Sequence, residues 1–404
     1  MYVVLFTLTV LVSAVLLFSV QPMVGKMILP LLGGAPAVWN ACMLFFQTCL
    51  LIGYCWAHVS TRVLGVRRQA VVQVVLLLLP LLVLPVAIPQ GWIPPAGSNP
   101  TGWLLLLLLV MVGLPFMVLA GTAPLVQSWF SSCAPRESLR GDPYFLYSAS
   151  NMGSLLALIG YPLVIEPVLT LGQQSRLWSI TYGALIAIMT ACAAVVVTRG
   201  APAVARSKQA TEPVTWRERA RWLALSAVPS SYLLGLTTYL TSDIAAVPLL
   251  WMLPLVLYLL SFVIVFSRKP LISPGMAARA LPITMVFVAL WVVSGFRQPV
   301  WLIMGAHLVA FFFAAVACHG ELARLRPRVA HLTEYYLVMS LGGVVGGLFN
   351  VLLAPLIFTT TAEYPTAMVA ACMLAPGTPG RRASQTAYRG ITLLLDIVPP
   401  LLTG

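Results

Sequence analysis

Apolar residues occur along the chain in runs about as long as a membrane-spanning helix, and short polar segments separate them. A bilayer core of roughly 30 Å needs ~20 predominantly apolar residues in one helix. The runs cover residues 2–32, 37–59, 71–89, 103–130, 144–169, 178–198, 222–240, 245–267, 276–295, 299–318, 334–358 and 364–375. This pattern predicts an all-α polytopic membrane protein with about 12 transmembrane helices.

The composition agrees with this pattern and excludes an ordinary soluble domain. Of the 404 residues, 60% are hydrophobic and only 8% are charged, and the mean hydropathy is +0.97. No positively charged segment precedes the first run and no small-residue cleavage site follows it. We therefore interpret the first run as a retained helix rather than a signal peptide.

The net charge of +13 reflects topology rather than nucleic-acid binding, because the basic residues fall in every second connection. These bases are Arg62, Arg67, Arg68, Arg136, Arg140, Arg199, Arg206, Lys208, Arg217, Arg219, Arg221, Arg268, Lys269, Arg279, Arg324, Arg326, Arg328, Arg381, Arg382 and Arg389. Only Lys26, Arg176 and Arg297 fall elsewhere. By the positive-inside rule, we expect both termini in the cytoplasm of a bacterial-type inner membrane.

The longest connection, 199–221, is rich in basic and polar residues and divides the runs into six and six. We interpret it as a cytoplasmic linker between an N-terminal half, 1–198, and a C-terminal half, 222–375. Residues 376–404 are then a tail, which we interpret as a natural end or as a truncated stub.

Weak internal similarity supports two related halves. Pro36-Ala37-Val38-Trp39 opens the second run, and Pro248-Leu249-Leu250-Trp251 lies near the start of the eighth. Tyr144-Phe145-Leu146 opens the fifth run, and Tyr335-Tyr336-Leu337 opens the eleventh. Small residues follow the Tyr-containing segments of the fifth and eleventh runs, and we expect these small residues to allow close helix packing. Two parallel six-helix halves are the arrangement of major facilitator transporters, whose substrate site lies between the halves.

Lys26 is an ionisable residue within the first apolar run, where Pro22, Gly25 and Pro30 are expected to weaken a straight helix. A charge at membrane depth needs a partner, a water-filled cavity or access to the interface. Glu166, Asp243 and Glu363 lie at the same predicted level. We expect these four residues to form an ion-paired cluster that binds a substrate cation, or to be separate interfacial residues.

Polar residues within other runs give further candidates. Gln47, Tyr54 and His58 share one face of the second predicted helix, which indicates packing or cavity lining. Trp39 and Asn151 are further candidates for substrate binding. His58, His319, Glu321 and Glu334 are candidates for gating or proton relay, and the alternative for Glu321 is an i,i+3 pair with Arg324 in a solvated turn.

Enzyme signatures are missing from the sequence. It has no G-x-G-x-x-G after a strand, no Walker motif, no H-E-x-x-H and no G-x-S-x-G. The seven cysteines include no C-x-x-C pair, so we expect buried thiols. The sequence predicts no cofactor and no metal site, and the lack of a catalytic domain or nucleotide-binding motif argues against an enzyme.

Several segments together resemble the membrane domain of the fused major facilitator/spermidine synthase-like family. They are Ser19–Gly34 with Pro36–Trp39 and Phe45–Gln47, Gly121–Pro124 with Gln127–Phe130, Asp142–Asn151 through Glu166-Pro167, Thr237–Trp251, and His319–Pro365. The resemblance covers about residues 10–370. Longer members carry a C-terminal synthase domain that transfers an aminopropyl group to putrescine, and this sequence ends without one.

The resemblance implies a polyamine-related membrane protein. We expect a transporter of a small, polyamine-like organic cation that works by alternating access, with the substrate displacing Lys26 from its acid. The alternative is a membrane anchor or partner of a separate spermidine synthase-like aminopropyltransferase, or a scaffold that transports nothing. The lipid bilayer is the other expected partner, and nucleic acid is not expected.

Overall fold

A computed structural model of the protein describes residues 2–95, 100–133, 144–199, 213–244, 250–267, 272–295 and 299–375, and of Asp243 and Ile244 it describes the backbone alone. The structured elements in these ranges are helices. The predicted tail at 376–404 and most of the predicted linker lie outside the described residues.

The chain passes through the bundle in helices that match the twelve predicted runs. Their bounds are Tyr2–Leu32 (α1), Pro36–Val63 (α2), Gly65–Leu82 (α3), Thr101–Cys133 (α4), Tyr144–Val168 (α5), Leu171–Arg199 (α6), Trp216–Ser242 (α7), Met252–Phe266 (α8), Pro274–Ser294 (α9), Val300–Arg324 (α10), Val329–Ile357 (α11) and Glu363–Leu374 (α12). Within the described ranges, ten are long and apolar enough to cross a membrane. The two shorter ones are α8 and α12, with 15 and 12 residues.

Exposed apolar side chains distinguish the peripheral helices from the central ones. In the most apolar part of α9 only 28% of the residues are buried, against 67% in α7. The exposed residues of α9 are nevertheless apolar, with Val293 87% exposed and Phe287 62%. An apolar surface of this kind faces lipid in a membrane protein, so α9 lies at the periphery and α7 in the centre.

Small residues allow close packing between two helices within each half, and the two pairs correspond in position. A Cβ atom on Gly153 of α5 would lie 2.7 Å from the carbonyl oxygen of Leu11 on α1, and a Cβ on Gly346 of α11 would lie 2.7 Å from the backbone nitrogen of Ser231 on α7. Both contacts are too close for any larger residue, which confirms the predicted packing role of these glycines. The N-terminal half (α1–α6) and the C-terminal half (α7–α12) meet chiefly where α2 packs on α11 and α5 on α8.

The break expected in the first helix is absent, since α1 remains helical through Pro22 and Pro30. Prolines are tolerated in membrane helices when neighbouring groups satisfy the freed backbone. Gly25 has a different role from the expected one, because a Cβ there would lie 2.9 Å from the Trp39 ring of α2. π-helical turns occur within α4, α5 and α11, at Leu109–Gly113, Tyr161–Ile165 and Phe349–Leu353, and at Leu240–Ile244, where α7 ends.

Candidate functional site: a cavity between the two halves

A cavity of about 160 Å³ lies between the halves. Residues of α1, α2, α4, α5, α7, α8 and α11 line it: Ala14, Leu17, Phe18, Gln21, Met43, Phe46, Gln47, Leu50, Tyr54, Phe116, Ala120, Ala123, Tyr147, Ser150, Asn151, Ser154, Ser226, Leu233, Leu255, Tyr258, Leu259, Phe262, Met339, Ser340 and Gly343. None of these described lining residues is Asp, Glu, Lys, Arg or His. The wall is therefore apolar and aromatic, with uncharged amide and hydroxyl groups.

Three of the residues predicted to bind substrate belong to this wall, namely Gln47, Tyr54 and Asn151. Gln47 also joins the halves, because its Nε2 donates a hydrogen bond to Ser230 Oγ of α7 over 3.1 Å. Asn151 Nδ2 donates to the carbonyl oxygen of Tyr147 one turn earlier, over 2.8 Å. The polar face predicted for α2 therefore does point toward the centre of the bundle.

One end of the cavity, here called the Lys26 end, is closed by two tryptophans from different halves. Trp39 of α2 stacks on Trp251, which precedes α8, with ring centroids 6.0 Å apart and an angle of 26°. Asn40 Nδ2 donates a hydrogen bond to Thr238 Oγ1 of α7 over 2.9 Å beside this pair. Trp39 was expected to bind substrate, but it lines only a void of about 10 Å³ between the cavity and the tryptophan pair.

Lys26 forms an ion pair with Glu166 of α5. The two side chains are 26% and 30% exposed, so the pair is partly accessible, and neither residue lines the cavity. Glu363 is buried on α12 and is also not a lining residue. The side chain of Asp243 lies outside the described part of the chain. Of the four residues predicted to form a cluster, Lys26 on α1 and Glu166 on α5 form an ion pair in the described structure.

The opposite end, here called the arginine-rich end, carries ion pairs around two glutamates. Glu334 of α11 accepts from Arg219 of α7 at 2.7 Å, lies 3.7 Å from Arg62 of α2 and 3.1 Å from His331. Because Arg62 belongs to the N-terminal half, Glu334 links the halves. His58 adds a second link through Nδ1, which lies 3.0 Å from Thr333 Oγ1.

Glu321 makes ion pairs that stay within the C-terminal half. Its carboxylate lies 2.5 Å from Arg221 and 2.7 Å from Arg324, and its side chain is 2% exposed. The i,i+3 pair with Arg324 that was considered from the sequence is present, but the Glu321 carboxylate is buried rather than solvated. Since α7 and α10 both belong to the C-terminal half, this group does not join the two halves.

His319 lies behind the cavity wall rather than in a gate between the halves. It is fully buried, its Nδ1 lies 2.6 Å from Ser261 Oγ, and its ring stacks on Phe262 with centroids 3.8 Å apart. Phe262 is itself a lining residue, so His319 supports the wall. No three His, Cys, Asp or Glu side chains in the described ranges converge as metal ligands would.

Aromatic residues that the sequence analysis did not select close the arginine-rich end of the cavity. Tyr147 of α5 stacks on Tyr336 of α11 with centroids 4.9 Å apart, and it packs edge to face on Phe266 of α8 at 4.8 Å. The Tyr336 hydroxyl donates to Gln127 Oε1 of α4 over 2.7 Å. The matching Tyr-containing segments at the start of α5 and α11 were the available signal, and they were interpreted only as traces of a repeat.

Comparisons with known proteins show which solved structures have a similar fold. No protein-family model and no curated protein matches the chain. The xylose transporter XylE from E. coli, in an inward-open structure, matches with a TM-score of 0.57 at 12% identity, over 93% of this chain and 97% of that one. An outward-facing bacterial homologue of the iron transporter ferroportin matches with a TM-score of 0.57 at 18% identity, over 91% and 96%.

A peptide transporter, POT, solved with sulfate, matches with a TM-score of 0.51 at 16% identity, over 92% of each chain. XylE is described as a proton:xylose symporter of the major facilitator superfamily. At these identities the likeness shows the fold alone. The chain is a multi-pass membrane protein with the fold of major facilitator transporters, and this confirms the predicted fold class.

Proposed function

We propose that the protein is a membrane transporter that carries a small solute through the cavity between its halves by alternating access. The observation that supports this most directly is that both ends of the cavity are closed by contacts between the halves. The tryptophan pair and the Asn40–Thr238 hydrogen bond close one end. Tyr147, Tyr336 and the Arg62–Glu334 pair close the other.

The proposed mechanism is a rocking motion of one half against the other. Opening the Lys26 end separates Trp39 from Trp251, while the arginine-rich end stays closed. Opening the arginine-rich end separates Glu334 from Arg62 and Tyr147 from Tyr336, while the tryptophans stay together. By the positive-inside argument, we place the arginine-rich end in the cytoplasm of a bacterial-type inner membrane.

The polyamine-like cation implied by the family resemblance finds no support in the cavity wall. A buried ammonium group needs an opposite charge or several hydrogen-bond acceptors. No described lining residue is acidic, and Glu166 is already paired with Lys26. If a cation does displace Lys26, then Glu166→Gln should abolish uptake of labelled putrescine by proteoliposomes. Unchanged putrescine uptake in that variant would exclude the displacement step.

The alternative of a membrane anchor or partner for a spermidine synthase-like protein is not favoured. An anchor needs neither a cavity between two halves nor closures at both of its ends. A spermidine synthase-like relationship rests on the sequence segments alone. Co-purification with such an enzyme, together with failure of the following experiment, would be the evidence for it.

Accessibility of the cavity from the two sides of the membrane tests alternating access. In a variant without its native cysteines, a single Ser340→Cys places a thiol in the cavity wall. We expect a membrane-impermeant maleimide to modify this thiol from either side of oriented vesicles. A cysteine at Val293, which is exposed on the lipid-facing side of α9, is the control. Modification of Ser340→Cys from only one side, or from neither, would overturn the transporter proposal.

A further inference from the structure

Three tyrosines line one part of the cavity wall, and they come from both halves. Tyr54 lies on α2, Tyr147 on α5 and Tyr258 on α8. Tyr54 and Tyr258 are partly exposed, although the cavity lies inside the bundle. Within the described residues, neither of their two hydroxyls has a hydrogen-bond partner, and neither is among the polar atoms that are sealed inside the protein. The Tyr54 and Tyr258 hydroxyls therefore open on the cavity.

The hydroxyl groups of these residues, here called the tyrosine cluster (Tyr54, Tyr147 and Tyr258), lie near one another. The Tyr147 hydroxyl interacts electrostatically with those of Tyr54 and Tyr258. The rings of Tyr147 and Tyr258 both pack edge to face on Phe262, with centroids 5.7 and 5.3 Å away. The ring of Tyr54 lies 6.3 Å from that of Tyr336, on which Tyr147 stacks. The tyrosine cluster is thus at the arginine-rich end of the cavity.

The Lys26 end of the cavity is more apolar. Gln21, Met43 and Phe46 line both the cavity and the small void beside the tryptophan pair, so they lie at this end. Met43 and Phe46 are apolar, and the amide nitrogen of Gln21 already donates to the carbonyl oxygen of Leu17 over 3.2 Å. An apolar wall buries the body of a ligand, while a few placed polar groups fix its orientation.

The wall restricts the charge and the size of a solute. No described lining residue is Asp, Glu, Lys, Arg or His, so an ion in the closed cavity would lose its water without gaining a counter-ion. A tyrosine hydroxyl can both donate and accept a hydrogen bond, which suits a hydroxyl, carbonyl or amide group. The volume of about 160 Å³ is close to that of the ~150 Å³ cavity that holds benzene in another protein.

We propose that the tyrosine cluster is the polar recognition site of the cavity. An uncharged solute about the size of a single ring binds with a hydroxyl, carbonyl or amide group at Tyr54 and Tyr258 and with its apolar body toward Met43 and Phe46. This inference rests on the proposed transport function, and it names the class of substrate and its orientation.

The tyrosine cluster also connects the solute with the closure of the arginine-rich end. Tyr54 and Tyr147 belong to the N-terminal half and Tyr258 to the C-terminal half, so a solute bonded to Tyr54 and Tyr258 bridges the halves. Tyr147 is part of the closure itself, because it stacks on Tyr336. A bound solute of this class therefore favours the closed arrangement of this end.

Binding of two probes of the same shape to the purified protein tests the assignment without requiring transport. Benzyl alcohol carries a hydroxyl group where ethylbenzene carries a methyl group. Tyr54→Phe and Tyr258→Phe each remove one hydroxyl and keep the ring. We expect each variant to weaken the binding of benzyl alcohol about fivefold and to leave that of ethylbenzene unchanged, as measured by titration calorimetry in one detergent.

Two further variants control for folding and for the place of binding. Tyr182→Phe should change the binding of neither probe, because Tyr182 is not a lining residue and its hydroxyl donates to the Leu77 carbonyl oxygen over 3.0 Å. Gly343 lines the cavity, and nothing lies within 4 Å of a Cβ at that position. Gly343→Leu should therefore fill part of the cavity and weaken both probes at least about tenfold.

The outcomes distinguish this inference from the transport proposal. Absence of benzyl alcohol binding, or tighter wild-type binding of benzylammonium or benzoate, would overturn the substrate class. Equal effects of Tyr54→Phe and Tyr258→Phe on both probes, or no effect on either, would overturn the role of the tyrosine cluster, and unchanged binding by Gly343→Leu would place the probes outside the cavity. One-sided labelling of Ser340→Cys combined with the expected binding pattern would instead refute transport and leave the binding site intact.

Discussion

At the scale of single residues, Lys26 illustrates how a charge is accommodated near the end of an apolar helix. Its ion pair with Glu166 joins α1 to α5 within the N-terminal half, and both side chains are about one quarter exposed. Exposed ion pairs contribute roughly 0–1 kcal/mol, whereas removing one partner of a buried pair costs about 3–5 kcal/mol. The Lys26–Glu166 pair lies between these limits because water or lipid headgroups screen it in part.

We therefore expect Lys26→Met to lower the free energy of unfolding by about 1–2 kcal/mol, because it leaves Glu166 without its partner. Glu166→Gln should have a similar effect, and the double variant should be less destabilised than the sum of the two changes. Unfolding in mixed detergent micelles measures the three differences. Strictly additive effects would mean that the pair contributes nothing to stability.

The sequence could place Lys26, Glu166, Asp243 and Glu363 at one level, but it could not select the partner of Lys26. The level follows from counting residues along each helix, whereas the partner depends on which helices are neighbours and how each is rotated. The same limit explains why the sequence could select Gln47 and Tyr54 as candidates for lining the cavity but could not select Ser340. Gln47 and Tyr54 form a polar face on α2, while Ser340 is one of many small residues on a helix that is apolar on most sides.

At the scale of helices, the fold depends on two pairs of helices that approach closely in corresponding places, α1 with α5 and α7 with α11. The number and order of helices could be predicted because a span needs a fixed length of apolar sequence and the basic residues fall in every second connection. The continuity of α1 through its prolines could not be predicted from the sequence. A proline leaves backbone groups without a hydrogen bond, and whether the helix breaks depends on whether neighbouring groups satisfy them.

Gly346→Ala is expected to destabilise the α7–α11 contact by about 1–3 kcal/mol, since its Cβ would lie 2.7 Å from Ser231 N and the helices would have to separate. Gly343→Ala on the same helix is the control. Nothing lies within 4 Å of a Cβ at that position, and alanine favours a helix by up to about 1 kcal/mol over glycine. Unfolding in mixed micelles measures both, and equal stability of the two variants would show that close approach at Gly346 is unimportant.

At the scale of the whole molecule, the two closures of the cavity differ in chemistry. The Lys26 end is closed by stacked indole rings and one hydrogen bond, whereas the arginine-rich end adds an ion pair and the His58–Thr333 contact to its aromatic layer. Trp39 and Trp251 occupy matching positions in the two halves of the sequence, and they meet face to face in the structure. The two segments whose weak similarity suggested related halves thus contribute one residue each to this closure.

Weakening one closure should bias the protein toward opening at that end. Trp39→Ala removes a stacking contact worth about 0.5–1.5 kcal/mol, so labelling of Ser340→Cys from the Lys26 side should become about two- to tenfold faster. Glu334→Gln should accelerate labelling from the opposite side, because it weakens the tie to Arg62 across the halves.

Glu321→Gln provides the control for Glu334→Gln, because Glu321 pairs with Arg221 and Arg324 within one half. Both glutamates lie at the arginine-rich end, and both substitutions remove one negative charge there. If the ion pair between the halves holds this end closed, only Glu334→Gln will accelerate labelling of the cavity thiol from the arginine-rich side. Equal acceleration by the two variants would mean that local charge, rather than contact between the halves, controls opening at this end.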